Sequence, residues 1–232
     1  MGTMNKIRRL ELFLKHAKKF VSKDVSRPIF ECACIREGNG YATNTHVMLV
    51  VNDVWEKRKN DLLYNMHTKE LVEQTKFIDK QSIEKITPKI ETSPVVINVL
   101  KKDEQNVNPL LPLSMWMKSS IAIIKKVDRW KSPILKTSFT ETSILFSFET
   151  KEVKTECSFE FKPETASYLY KEWEQAKDLA IHFNGVLFLS ALEALLEFDC
   201  KEINFAFTGP LTPFALYGDK DITAVITPMR VG

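Results

Sequence analysis

The feature that most constrains this chain is an internal repeat. Residues 7–23 and residues 115–135 both place apolar residues at helical spacing, follow them with Lys and Arg, and lead to a proline that opens a strand-like run. The two prolines, Pro28 and Pro133, are 105 positions apart (133 minus 28), and the same separation relates Asp79 to Asn184 (184 minus 79). Asp79 and Asn184 each open a second helical stretch. Both halves therefore have the predicted order helix, strands, helix, strands, which favours an ancient duplication.

The repeat predicts two similar domains in a chain of 232 residues. We place them at residues 4–108 and 109–232, because residues 101–113 are charged and polar and then contain two prolines, a composition typical of an interdomain connector. Each domain has an ordinary size for an independent folding unit. The predicted fold class is α+β, with each domain an antiparallel sheet that carries helices on one face.

The second half contains the clearest strand patterns. Residues 144–148 and residues 156–161 are strand-like runs, and we expect them to pair around a turn near Lys151. A further strand-like run follows the second helical stretch of each half, at residues 95–99 and 203–207. The periodicity of residues 164–177 is compatible with a helix or with an irregular insertion.

Composition excludes several classes of function. The chain has 33 Lys and Arg against 30 Asp and Glu, so any binding to nucleic acid must come from local segregation of charge. It has only 7 Gly and none of the GxGxxG, GxxxxGK or GxSxG signatures. No segment approaches 18 consecutive apolar residues, and the N-terminus is polar and basic. We therefore expect a soluble, cytoplasmic protein with no membrane association.

Cysteine and histidine positions predict neither a metal site nor a cofactor. The four cysteines form no CxxC pair, and the four histidines have no metal-ligand spacing. Buried free thiols in a reducing cytoplasm are the expected state of Cys32, Cys34, Cys157 and Cys200.

Three strings resemble the bacterial DNA polymerase sliding clamp, the beta subunit of the replicative polymerase. Residues 224–231 (AVITPMRV) are similar to the closing strand of that family, residues 183–196 (FNGVLFLSALEALL) to a helix of its last domain, and residues 42–48 (ATNTHVM) to a string of its middle domain. The resemblance therefore covers the middle and last domains of a three-domain clamp. Val47 and Thr227 depart from the family, which has Arg and Met at these places.

The resemblance implies a topological function without catalysis. Clamps of this family close into rings of six similar domains around duplex DNA, and DNA polymerase and the clamp loader dock on them through short linear motifs. A chain of two clamp-like domains needs three copies for six domains, so the implied homo-oligomer is a trimer. The implied protein is not an enzyme and has no cofactor. The shortened chain suggests a phage or another mobile element as its source.

The resemblance also implies a surface that faces DNA, made of basic residues on two equivalent helices and the turns after them. Mobile Lys and Arg side chains attract phosphates without reading bases, as a sliding protein requires. The alternative is that these are ordinary solvated helix faces. The candidate residues are Lys15, Lys18, Lys19, Lys23, Arg27, Lys118, Lys125, Lys126, Arg129 and Lys131.

A second implied site is an apolar pocket for partner peptides between the two domains. Methionine suits such a pocket because it repacks around different side chains. For Val225, an equally acceptable interpretation is a core position in a final strand. The candidate pocket residues are Thr43, His46, Met48, Val225, Pro228, Met229 and Arg230.

Two other functions remain open from the sequence. One is an unclosed clamp-like adaptor that binds or sequesters replication proteins. The other is a small cytosolic enzyme in which His46 acts as a base, although no nucleophile or acidic partner is recognisable by its spacing.

Overall fold

The computed structural model describes most of the chain as helices and strands joined by short connections. The described residues are 5–24, 26–73, 77–89, 93, 95–100, 110–128, 132–140, 143–160, 166–170, 180–200, 202–219 and 221–230. The helices in these ranges are α1 (Lys6–Ala17), α2 (Lys80–Ile86), α3 (Leu111–Val127) and α4 (Gly185–Glu197), and a 3₁₀ turn covers Pro28–Glu31.

Fourteen strands are described. Those of the first half are β1 (Cys32–Arg36), β2 (Asn39–Thr43), β3 (Val47–Val51), β4 (Leu62–Asn65), β5 (Leu71–Val72) and β6 (Val95–Leu100). Those of the second half are β7 (Ile134–Phe139), β8 (Ser143–Glu149), β9 (Lys154–Glu160), β10 (Ala166–Tyr170), β11 (Ala180–Asn184), β12 (Glu202–Phe207), β13 (Phe214–Gly218) and β14 (Ile222–Ile226).

Local capping explains where two of the helices begin. The Asn5 side chain accepts a hydrogen bond from the Ile7 N–H at the start of α1, and the Asn184 side chain accepts from Val186 and Leu187 at the start of α4. Helix α1 is shorter than the predicted 7–23, because the next N–H groups bond three residues back and tighten the chain.

The strands form two antiparallel sheets. The larger has the order β10-β6-β12-β13-β14-β3-β2-β1-β4-β5, and the smaller has the order β11-β7-β8-β9. The two halves of the chain meet in the larger sheet at two places: β14 pairs with β3, with Val225 opposite Met48, and β6 lies between β10 and β12. The helices and the two antiparallel sheets confirm the predicted α+β class.

Strand alternation divides the buried side chains between the two faces of the larger sheet. On one face, Val47 and Leu49 join a core that includes Phe13 of α1 and extends through α3, α4 and the smaller sheet. Aromatic side chains dominate the part of this core that the second half of the chain contributes. There the ring centroids of Phe183 and Phe214 lie 4.2 Å apart. We call the surface formed by α1, α3 and α4 on this side the helical face.

The opposite face of the larger sheet carries a smaller cluster that includes Cys32, Cys34 and Met48, covered by Phe77 and by Ile83 of α2. Arg36 anchors this covering segment. Its guanidinium donates to the Asp61 carboxylate at 2.6 to 3.1 Å and to the Ile78 carbonyl oxygen at 2.7 Å.

Burial and the nearby Asp61 carboxylate raise the pKa of the Cys34 thiol to about 12, so the thiol stays protonated at neutral pH.

The structure confirms one predicted pairing and changes the interpretation of one segment. Strands β8 and β9 pair around the turn near Lys151, as predicted. Residues 166–170, within the segment predicted as helix or irregular insertion, form strand β10, because their backbone groups bond with β6. Strand β6 also pairs with β12, so both of its neighbours come from the second half. The predicted boundary after residue 108 lies outside the described residues and stays a prediction.

Candidate functional site

The helical face brings together basic residues from both halves of the chain. Lys15 lies in the last turn of α1, Lys18 and Lys19 follow that turn, and Lys118 lies in α3; all four side chains are exposed. Arg129 and Lys131 lie outside the described residues. The helical face therefore carries predicted DNA-facing residues from both halves of the chain.

Two glutamates of α4 hold three of these lysines. The Lys19 and Lys118 ammonium groups lie 2.6 and 2.9 Å from the Glu193 carboxylate, and the Lys15 ammonium lies 2.6 Å from the Glu197 carboxylate. Burial by itself would raise the pKa of the Glu193 carboxyl. The hydrogen bonds from Lys19 and Lys118 outweigh burial, and the net result is a lowered pKa. Glu193 is therefore ionised at neutral pH and links the segment after α1 to α3.

Other lysines of the predicted set extend into solvent. Within the described ranges, Lys18, Lys125 and Lys126 are exposed and make no ion pair. Helix α3 also exposes the apolar side chains of Leu111, Met115, Ile123 and Val127. Its outer surface is thus a mixture of apolar and basic residues, which is less favourable for tracking phosphates than a continuous basic stripe.

A groove of about 820 Å³ opens beside the C-terminal end of α1. One wall comes from residues 18–24 with Arg27 and Phe30, the second is the loop between β2 and β3, and the third is α4 from Val186 to Glu193. We call it the basic groove, because its lining includes Lys18, Lys19, Lys23 and Arg27. Apolar contact area comes from Phe30, Val186, Leu187 and Leu189. The groove joins four predicted DNA-facing residues to His46 of the predicted peptide pocket.

Short-range hydrogen bonds shape the β2–β3 loop and present His46 to the groove. The buried Thr43 hydroxyl donates to the Val47 carbonyl oxygen and accepts from the Thr45 N–H. The Asn44 side chain accepts from the N–H groups of His46 and Val47. Thr45 has φ of 78°, in the left-handed region. This tight turn leaves the His46 side chain exposed.

The segment after β14 is bonded to both halves. The Thr227 N–H and hydroxyl both donate to the His46 carbonyl oxygen, at 2.9 and 3.0 Å, and the Met229 N–H donates to the His182 carbonyl oxygen at 2.7 Å. Pro228 and Met229 are half-buried beside these bonds, and Arg230 is exposed.

The remaining predicted pocket residues lie deeper. Met48 and Val225 are opposite each other in the β3–β14 pairing, and both are buried in the cluster beneath Phe77 and Ile83. Val225 is therefore a core residue of a final strand, which was the alternative interpretation of its position. The predicted set divides into an accessible group (His46, Pro228, Met229 and Arg230) and a buried group (Thr43, Met48 and Val225). Its role in peptide binding stays a prediction.

Sequence reasoning did not select Glu193 and Glu197. Their spacing of four residues on an apolar helix places both on one face, and this signal could have indicated a paired acidic site.

Sequence reasoning also missed a second groove of about 840 Å³ between residues 81–89 and the β12–β13 connection, lined by Ile86, Pro88 and Thr212. No sequence pattern indicated that these two segments meet.

The described part of the chain contains neither a membrane-spanning helix nor a cluster of metal ligands. Its helices include none with the length and apolar character needed to cross a membrane. In the same ranges, no three His, Cys, Asp or Glu side chains are placed so that they could hold a metal ion.

Comparisons with known proteins find similarity in structure alone. No protein family model and no curated protein matches the sequence. The beta chain of DNA polymerase III from Streptococcus pneumoniae matches with a TM-score of 0.70 and 14% identity, over 100% of this chain and 66% of that one. The sliding clamp from Bacillus subtilis matches with 0.67 and 16%, over 97% and 63%, and the C. crescentus beta sliding clamp with 0.67 and 12%, over 96% and 63%.

The chain thus spans about two thirds of the length of each of these clamp chains. The match extends along nearly the whole of this chain, including both sheets and the helices packed on them. It confirms, at the level of the fold, the resemblance seen in the three short strings. The protein has the fold of the bacterial DNA polymerase III beta sliding clamps.

Proposed function

We propose that this protein is a non-enzymatic processivity clamp that encircles duplex DNA as a ring of three copies. The observation that carries the proposal is the placement of α1 and α4 on one face of a sheet that runs through both halves of the chain, with α3 packed beside α4 on the smaller sheet. A ring built from such units can place helices against DNA and sheets outside. Basic residues on the helical face then supply sequence-independent attraction to phosphates.

The edges of the larger sheet support assembly between copies. Its terminal strands, β10 and β5, each have one neighbour within the described structure. An unpaired strand edge is a template for pairing with another chain, and natural proteins protect such edges unless they use them. β5 has only two residues, of which Leu71 is exposed, so pairing there would also cover apolar surface.

The basic groove and the adjoining segment of residues 227–230 are the surface on which we place partner binding. The groove combines apolar contact area with an exposed His46, and the half-buried Met229 lies on the neighbouring segment. A short linear motif with apolar side chains, presented by a DNA polymerase or a clamp loader, has the dimensions and chemistry for this surface.

The test combines solution mass with retention on DNA. A trimer has three times the mass of the 26.8 kDa chain, about 80 kDa, and this can be measured by light scattering. A closed ring loaded on circular duplex should remain bound and should leave after the circle is cut. A stable monomer that is not retained on the circle would refute the ring.

The second candidate is an unclosed clamp-like adaptor. The observation that favours it is the neutralisation of Lys15, Lys19 and Lys118 by α4, together with the apolar surface of α3. Such an adaptor would be a monomer that binds replication proteins through the same groove and has no retention on circular DNA. The mass and retention experiment separates the two functions.

A further inference from the structure

We infer that Glu193 and Glu197 act as intramolecular competitors of DNA phosphates, and that they hold the lysines of the helical face in ion pairs that bound DNA must displace. This inference rests on the proposed function, because it concerns the strength with which the helical face binds a duplex. It assigns to these two α4 glutamates the role of limiting DNA affinity.

The geometry supports direct competition. Each lysine ammonium lies 2.6 to 2.9 Å from a carboxylate oxygen, which is the distance range of charge-assisted hydrogen bonds, and a phosphate oxygen would use the same donors. Glu193 receives one lysine from the segment after α1 and one from α3, and its side chain is only 19% exposed, whereas those lysines are 46% and 56% exposed. The lysines can therefore turn towards a ligand while the carboxylate remains fixed.

Competition from Glu193 and Glu197 should weaken DNA binding without abolishing it. Solvent-exposed ion pairs are weak, so a dense row of phosphates can break them. The freed carboxylates remain within a Debye length of the phosphates and repel them. Lys18, Lys125 and Lys126 make no ion pair within the described ranges, and we therefore expect them to contribute more to wild-type binding than the paired lysines do.

The first test compares two double variants of the full chain that change net charge by the same amount. E193Q/E197Q removes the competitors, and E56Q/E152Q removes two exposed carboxylates elsewhere. Binding to a fluorescent 30-base-pair duplex is measured by anisotropy across a series of NaCl concentrations. We expect E193Q/E197Q to bind about tenfold more tightly than E56Q/E152Q, with a salt slope steeper by about 2, because about two more lysines contact phosphate. Equal affinities and slopes for the two variants would overturn the inference.

The second test places single substitutions of exposed lysines in the wild type and in E193Q/E197Q. K18Q should weaken DNA binding more than K19Q in the wild type, and K19Q should become as damaging as K18Q when E193Q/E197Q is also present. That coupling is a double-mutant cycle, and a merely structural role for Glu193 would not produce it. Absence of coupling in a protein that binds DNA would refute the inference and leave the proposed function standing. Failure of the wild type and of E193Q/E197Q to bind DNA would refute both.

Discussion

The Thr227 N–H and hydroxyl both donate to the carbonyl oxygen of His46, at 2.9 and 3.0 Å. These bonds join the segment after the last strand of the second half to the β2–β3 loop of the first half. Thr227 stands where the sliding-clamp resemblance leads one to expect methionine, so this departure has a structural role. It holds Pro228 and Met229 beside His46 in one fixed arrangement.

Replacement of Thr227 by Val should lower the free energy of unfolding by about 0.5–1 kcal/mol, because one hydrogen bond at a partly exposed site is lost and the shape of the side chain is kept. Urea unfolding of both proteins measures the difference. Thr140→Val removes a hydroxyl that bonds within its own turn, and it serves as a control for the general effect of removing a hydroxyl. An unchanged stability of the Thr227 variant would mean that the hydroxyl bond to His46 contributes nothing.

Replacement of Met229 by Asp should abolish binding of an apolar peptide taken from a replicative polymerase, because a carboxylate would be placed in the half-buried segment beside His46. Anisotropy of a labelled peptide measures binding, and light scattering checks assembly. Met115→Asp introduces the same charge on the exposed surface of α3, where the methionine is 61% exposed, and should leave peptide binding unchanged. Full peptide affinity in the Met229 variant would remove Met229 from the proposed site.

Replacement of Arg9 by Met should lower the free energy of unfolding by about 2 kcal/mol. The Arg9 guanidinium donates to the Asn52 carbonyl oxygen at 2.7 Å, lies 3.2 Å from the Asp221 carboxylate and stacks over Phe198, and its side chain is only 13% exposed. It therefore connects the two halves of the chain. Arg8→Met is the matched control, since Arg8 is 63% exposed and pairs only weakly with Glu11 in its own helix, and we expect a change below about 0.5 kcal/mol. Similar losses in the two variants would contradict this role for Arg9.

Acidification should destabilise the packing of α1 on α4 through His16. Burial lowers the pKa of the His16 imidazole, and Lys19 and Lys15 lower it further, whereas Glu197 at 3.2 Å raises it; the net direction is downward from 6.5. A histidine with a lowered folded pKa contributes stability above its unfolded pKa and loses that contribution as the pH falls, because the unfolded chain takes up the proton first. The free energy of unfolding should therefore decrease as the pH falls below 6.5.

The His16→Gln variant should show a smaller decrease over the same pH range when both proteins are unfolded by urea. Some decrease should remain, because burial also lowers the pKa of His182. The His46→Gln variant, which changes an exposed ring, controls for the loss of a histidine elsewhere. Identical pH dependence in the wild type and the His16 variant would exclude His16 as the cause.

Elements with strong periodicity were predictable because local patterns encode them. The alternation around residues 144–160 predicted the pairing of β8 and β9, and the helical stripe after Asn184 predicted α4. Strand β6 was predicted as a strand, but its partners were not. Hydrogen bonding between strands joins residues distant in the chain, so a repeat pattern could not show that β6 pairs with β12.

The candidate site was predictable only in part. The sequence placed basic residues on α1 and α3, and the described members of that set near these helices are exposed. It did not indicate that Lys19 and Lys118 converge on one carboxylate, since that depends on how three helices pack. Met48 and His46 are two residues apart, and the tight turn at Thr45 separates an exposed ring from a buried side chain.

By itself, the sequence determined the class of fold, the order of most elements, and the strings that resemble sliding clamps. Apolar periodicity and turn residues act over a few positions and need no knowledge of the remainder of the chain. Only the tertiary structure decided which lysines are already neutralised, which pocket residues are buried, and where a groove opens. The physical reason is that charge pairing and burial depend on distances between side chains far apart in the chain, and packing alone sets those distances.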